Sequence, residues 1–265
     1  VADSRPLITL LTDFGTRDAY VASLKGVILS LNPAANLVDL SHEVPPQDIR
    51  AGALLLAAAA PFFPAGTIHL AVVDPGVGGG RRALAARGRD SYWVGPDNGL
   101  FHFIFDQAPD LTLVSLENPT YFRPQVSATF HGRDIFAPVA AHLSLGVALE
   151  RFGPRITDPV VLDLPQPGFA PTVLKGEIIA VDRFGNLVSN IRFAQLTAWL
   201  KEAGMRLKAG PLTLTGLART YAEAAPGEFL ALEGSHGFLE IACAQDNAAR
   251  RLKAGAGLAV EIHKA

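Results

Sequence analysis

The chain carries a single cysteine, Cys243, so no internal disulfide can form, and no CxxC pair offers a zinc or redox site. Flanked by Ala242 and Ala244, that cysteine reads as a small core residue. Long apolar runs are also missing. The longest, 53–63, contains Pro61 and is too short to span a bilayer, so no membrane partner is expected. Neither sign of charge dominates: the formal net charge is −2 and no basic stripe stands out, which argues against nucleic acid as a partner. The opening "VADSRPLITL" has no basic segment followed by an apolar stretch, so a cytoplasmic setting without a secretory signal is expected. No HExxH or HxH pattern occurs, and the glycine-rich loop lacks the lysine-serine ending of a P-loop. What the sequence does have is 49% hydrophobic and 18% charged residues over 265 positions, enough for one large or two unequal globular domains.

Strand-like and helical patterns alternate through the first half. "PLITLLTD", "NLVDLS", "TIHLAVVD" and "SYWVGPD" read as strands. "YVASLKGVILSL" places Val21, Leu24, Val27, Ile28 and Leu31 on one helical face, while "DIRAGALLLAAAAPFF" and 136–149 read as further helices. This alternation predicts an N-terminal α/β layered domain with a mostly parallel sheet. A stretch punctuated by Pro165, Pro167 and Pro171 reads as a linker. Short apolar runs from "GEIIAVD" to "GLAVEI" then predict a smaller C-terminal β barrel or sandwich with one helix near 193–200. The expected division is 1–163, a linker at 164–175, and 176–265.

Polar residues collect where the strands of an open α/β sheet would end, the usual place for a ligand. "LLTDFG" ends in Asp13, "AVVDPG" in Asp74, and "WVGPDNG" in Asp97 and Asn98. "VVDPGVGGGRRALAARG" then carries three glycines to Arg81 and Arg82, and "TFHGRDIF" supplies His131, Arg133 and Asp134 ahead of a helix. As a bare motif, Asp134 reads equally as an N-cap. Three chemistries could use the set: a metal held by Asp13, Asp74, Asp97 and His131; phosphate binding by "GVGGGRR"; or metal-free activation of water by a carboxylate, an arginine and a histidine.

Six blocks in order, "LLTDFGTRDAYVASLKGVI", "HLAVVDPGVGGGRRA", "WVGPDNGLF", "ATFHGRDIFAPVAA", "VDRFGNLVSNI" and "EGSHGFLEIA", resemble the S-adenosylmethionine (SAM) hydrolases that form adenosine, also called SAM hydroxide adenosyltransferases, which are related to the 5′-fluorinase and 5′-chlorinase. The resemblance implies that Asp74, Arg81 and His131 hold the attacking water, with Arg81 chosen over Arg82 by its spacing from Asp74. It implies a ribose contact at Asp13 and a place near the methionine end for Asp18. It further implies an ammonium contact at Asp182, adenine-side contacts at Phe184 and Asn186, and a place near the methionine portion for Ser235, with His236 beside it and given no assigned role. Asp97 and Asn98 are left as supporting residues. SAM is then the substrate, with no cofactor and no metal, and the family arrangement implies a homotrimer with sites between neighbouring subunits. A 5′-halogenase and a non-catalytic SAM or adenosine sensor are the alternatives; an intact Asp–Arg–His set favours water over halide.

Overall fold

The computed structural model describes residues 5–106 and 108–265. The chain forms two compact units, one ending at Leu162 and the other running from Asp163 to Ala265.

The first unit contains β1 (Leu7–Thr12), α1 (Tyr20–Leu31), β2 (Asn36–Ser41), α2 (Ile49–Ala59), β3 (Ile68–Val72), β4 (Ala83–Gly88), β5 (Ser91–Pro96), α3 (His102–Phe105), β6 (Thr112–Ser115), α4 (Ala137–Ser144) and β7 (Arg155–Ile156). Its seven-stranded sheet has the order β2-β1-β3-β5-β4-β6-β7. Strands β2, β1, β3 and β5 pair in parallel, but β4 pairs antiparallel with both β5 and β6, and β6 antiparallel with β7. The sheet is therefore mixed, which corrects the mostly parallel expectation. The cause is local. Arg89 and Asp90, at φ of 53° and 58°, make a two-residue turn between β4 and β5, and so short a connection allows only antiparallel pairing.

Helix α1 buries Val21, Leu24 and Ile28, whereas Leu31 stays exposed, so the apolar face is narrower than its sequence pattern. It packs beside α4 over a core that includes Ile8, Leu10, Leu70, Val72 and Phe136. Each such side chain contributes roughly 1.5–3 kcal/mol on burial. Asp48 caps α2 by accepting from the Ala51 N–H. The helix expected over 136–149 begins earlier, as a π-helical turn at Gly132–Phe136, and closes as α4 at Ser144. Gly146, at φ 84°, stops it.

The second unit contains β8 (Gly168–Phe169), β9 (Val173–Val181), β10 (Leu187–Arg192), α5 (Phe193–Leu200), β11 (Met205–Ala209), β12 (Leu212–Thr215), β13 (Phe229–Glu233), β14 (Phe238–Cys243), α6 (Ala248–Leu252) and β15 (Ala259–Lys264). They form one antiparallel sheet in the order β12-β11-β15-β9-β10-β14-β13, with β8 beside β9. Strands β12 and β13, at opposite ends of that order, come into contact, so the sheet curls nearly into a barrel around Leu174, Ile178, Leu207, Leu239 and Ile262. Among the described residues, no helix is long and apolar enough to cross a membrane.

Candidate active site

Strand β3 ends at Val72, and Asp74 follows two residues on, beyond its carboxyl end. Because β4 runs antiparallel, it starts at this same end of the sheet, and the loop 73–82 spans the end of β5 to reach it. Gly78 makes the path possible. At φ 75° it approaches Ala128 so closely that a Cβ would lie 2.1 Å from the Ala128 carbonyl oxygen. The loop is thereby pressed against the segment that leads into His131.

Arg81 returns across the loop to Asp74. Its Nε lies 3.0 Å from each Asp74 carboxylate oxygen, and Nη2 donates to Oδ2. Nη2 also lies 2.9 Å from His131 Nδ1, and the guanidinium carbon sits 5.3 Å from the Phe136 ring centroid. Arginine can only donate, so His131 Nδ1 accepts and the ring proton belongs on Nε2. Burial and the adjacent Arg81 charge lower the His131 pKa, outweighing Asp74 and Asp134, which keeps the imidazole neutral. Arg81 Nη1 and His131 Nε2 have no hydrogen-bond partner among the described residues. The structure thus joins Asp74, Arg81 and His131 in one cluster with two donors unspent.

Arg82 turns the other way. Its Nε donates to Asp97 Oδ2 at 2.8 Å and its Nη1 to Asp158 Oδ1 at 2.8 Å, while Asp97 Oδ1 accepts from the Val160 N–H. Arg82 and the buried Asp97 therefore strap the segment 158–160 to the sheet. Asn98 Nδ2 donates to the Val73 carbonyl, holding the exit of β3. Asp134 is fully buried and accepts from Arg133 Nε at 2.7 Å and the Ser127 N–H at 2.9 Å; it fastens the 127–134 segment, not a helix N-terminus.

Asp13 lies at the end of β1, next to β3, where Thr12 pairs with Val72. Its Oδ2 accepts from the Gln47 N–H at 2.8 Å. Asp18 is exposed. Phe14, Tyr20 and Phe130 form a trio with centroids 5.2–5.9 Å apart, Phe130 meeting both others edge-to-face and Phe14 tilted against Tyr20, which draws the segment after Asp13 toward the one before His131.

In the second unit, Asp182 organises its own turn. Its Oδ1 accepts from the Phe184 and Asn186 N–H groups, and its Oδ2 from Asn186 Nδ2. Phe184 is 78% exposed, whereas Asn186 is buried. Ser235 and His236 sit exposed in the β13–β14 turn. The two turns are at opposite ends of the β10–β14 ladder, since Leu187 pairs with Ile241 and Arg192 with Phe238. Between them is a residue the motifs did not single out, Glu240. It is 3% exposed, accepts from the Tyr221 hydroxyl at 3.1 Å, and packs where a Cβ on Gly234 would have to be. Burial and the nearby Asp182 raise its pKa, and burial beside Glu240 pushes Tyr221 to about 12. The sequence signal was a lone carboxylate inside the apolar run "GFLEIAC". Among the described residues, no group of three or more histidine, cysteine, aspartate or glutamate side chains is placed to hold a metal ion.

An α/β unit with an Asp–Arg–His cluster at its strand ends, followed by an antiparallel β unit, defines a recognised class. The chain belongs to the SAM hydroxide adenosyltransferase family: the N-terminal domain of that family matches residues 8–153 and its C-terminal domain residues 176–261. The chain is 40% identical to an (R)-S-adenosyl-L-methionine hydrolase of Salinispora arenicola, over 90% of each chain. It is also 40% identical to a protein of the same name from Thermus thermophilus, over 96% of this chain and 98% of the relative. A fluorinase of an Actinoplanes species matches at 28% identity over 100% of this chain and 99% of its own. Among solved structures, an uncharacterized conserved protein from Thermotoga maritima superposes with a TM-score of 0.90 at 36% identity, over 97% of this chain and 100% of that one.

Proposed function

We propose that this protein hydrolyses S-adenosyl-L-methionine to adenosine and L-methionine by in-line attack of water or hydroxide on C5′. The observation that carries this reading is the Asp74–Arg81–His131 cluster with Arg81 Nη1 and His131 Nε2 unspent. The sulfonium leaves readily, so the task is to supply a nucleophile. Asp74 aligns the guanidinium, Arg81 and the neutral His131 donate to the attacking oxygen, and that oxygen is stabilised as hydroxide. The C5′–O bond forms as the C5′–S bond takes its electron pair to sulfur, and the water's proton goes to solvent. Holding the oxygen behind C5′ supplies proximity as well.

Asp13 takes the ribose hydroxyls; Phe184 and Asn186 cover the adenine side; Asp18, Asp182 and Ser235 meet the methionine portion. The relatives' name places R beside an L-methionine whose α-carbon is already specified, so the descriptor belongs to the sulfonium sulfur, and we take that epimer as the substrate. A homotrimer with sites between neighbouring subunits, no cofactor, no metal and a cytoplasmic setting complete the proposal.

The test is turnover in heavy-oxygen water. One labelled oxygen per adenosine, at the 5′ position and with or without chelator, is the expected product. Unlabelled adenosine, or 5′-chloroadenosine formed preferentially in chloride, overturns the reading in favour of a different reaction or the halogenase.

A further inference from the structure

Four hydrogen bonds tie the last residue of β1 and the segment after it to the loop that follows β2. The Gly15 N–H donates to the His42 carbonyl at 2.7 Å, and the Gln47 N–H to Asp13 Oδ2 at 2.8 Å. Thr16 Oγ1 donates to Glu43 Oε1 at 3.4 Å, and Thr12 Oγ1 lies 2.8 Å from His42 Nδ1. Thr12 and His42 are buried, at 0% and 4% exposure. His42 Nε2 in turn lies 3.1 Å from Asp39 Oδ1, in a contact more electrostatic than a straight hydrogen bond, and Asp39 Oδ2 takes Lys25 Nζ at 2.6 Å. Partial burial would raise the Asp39 pKa, yet Lys25 and His42 together hold it below its ordinary value, so it faces the imidazole as a carboxylate.

The proton assignment along this row is self-consistent. Thr12 Oγ1 accepts from the Phe14 N–H at 3.3 Å, leaving its own proton for His42 Nδ1. The remaining ring proton then lies on Nε2, toward Asp39. Gln47 is held at φ 66°, a strained region that side-chain-bearing residues seldom adopt. That conformation belongs to the residue whose N–H meets Asp13. A strained donor thus meets the Asp13 carboxylate while the buried relay holds the backbone turn on either side of it, through Thr12, Phe14 and Gly15. Only Oδ2 of Asp13 is engaged; Oδ1 has no partner among the described residues.

We infer that Thr12 and His42 are positioning residues for the substrate's ribose, fixing the turn at Asp13 so that its free carboxylate oxygen meets the ribose hydroxyls. This inference rests on the reading of Asp13 as the ribose carboxylate. A relay of this kind acts on binding geometry and not on the attacking oxygen. Its loss raises KM for SAM and leaves kcat within about threefold, because the ribose contact is present in ground and transition states alike.

The experiment measures binding of adenosine and of 2′,3′-dideoxyadenosine by calorimetry to the full chain and to its Thr12→Val, Thr12→Ser, His42→Leu and Asp13→Asn variants. Thr12→Val and His42→Leu are expected to weaken adenosine by about tenfold while changing the dideoxy analogue by less than about twofold, with Thr12→Ser restoring affinity. Equal loss for both ligands, or no loss for either, overturns the inference. Asp13→Asn separates the two levels. If it fails to distinguish the ligands, the ribose reading of Asp13 falls; if it distinguishes them and the relay variants do not, the relay alone falls. Should His42→Leu not fold, Thr12→Val against Thr12→Ser still decides.

Discussion

At the scale of the residue, two adjacent arginines have opposite employments. Arg81 faces Asp74 and His131, and Arg82 faces Asp97 and Asp158. Arg81→Ala should lower kcat by roughly a hundredfold or more with SAM affinity little changed, as for other groups that stabilise an oxyanion. Arg82→Ala should keep kcat within a few-fold and instead lower the melting temperature, because Asp97 is left buried without its cation. Steady-state kinetics beside thermal unfolding separates the two; the reverse pattern would exchange their roles. Glu240 yields a prediction with a definite sign. Its folded pKa is raised above 4.5, so its contribution to stability is fully present below that value and is lost as pH rises through the folded pKa. Glu240→Gln should therefore match the parent protein near pH 4 and melt at a higher temperature at pH 7. An equal or lower melting temperature at pH 7 would show that the carboxylate is compensated. In the sequence, Asp74, Arg81 and His131 were each visible as motif residues. What separates Arg81 from Arg82 was legible only as family spacing, because both side chains have the same length and charge and only the fold decides which carboxylate each one meets.

At the scale of the element, the four strands that pair in parallel were legible as apolar runs, whereas the alanine-rich β4, "ALAARG", and the four-residue β6, "TLVS", were not. That omission matters, because β4 turns a parallel sheet into a mixed one and brings Arg81 back to the end of the sheet where β3 left it. The π-helical turn at Gly132–Phe136 was equally hidden, since one widened turn leaves no separate apolar period. Strand β3 carries a further titratable group. His69 is fully buried, bonded to Thr9 Oγ1 at 2.7 Å and stacked on Trp93 at 4.4 Å, and burial lowers its pKa to about 4. A lowered histidine pKa gives stability that is fully present above about 6.5 and is lost as pH falls from there toward 4. By linkage the loss is on the order of 3 kcal/mol. Chemical denaturation across that range should show the decline, and His69→Gln should flatten it. An unchanged slope in the variant would assign the acid sensitivity to other groups.

At the scale of the whole molecule, the family's two domains match the chain in order, and the residues read as substrate contacts are divided between its two compact units. The trimer remains the part of the proposal that a single chain cannot complete. Sedimentation equilibrium should give three times the 28.0 kDa chain mass. A monomer with full activity would remove the shared-site arrangement and leave the chemistry intact.

The contact between Gly78 and Ala128 has one more consequence. With that point pinned and Asp74 and Asp97 fixed at two strand ends, the loop between them acts as a ruler. Deleting a single residue at Gly79 or Gly80 would deliver Arg82 to the place of Arg81. Ala83 would then stand where the strap to Asp158 begins, with no charge to offer. Such a chain would keep an arginine beside Asp74 and His131 and lose its fastening, so insertions and deletions in this loop should be tolerated far less than changes of residue type at Val77 or Gly80.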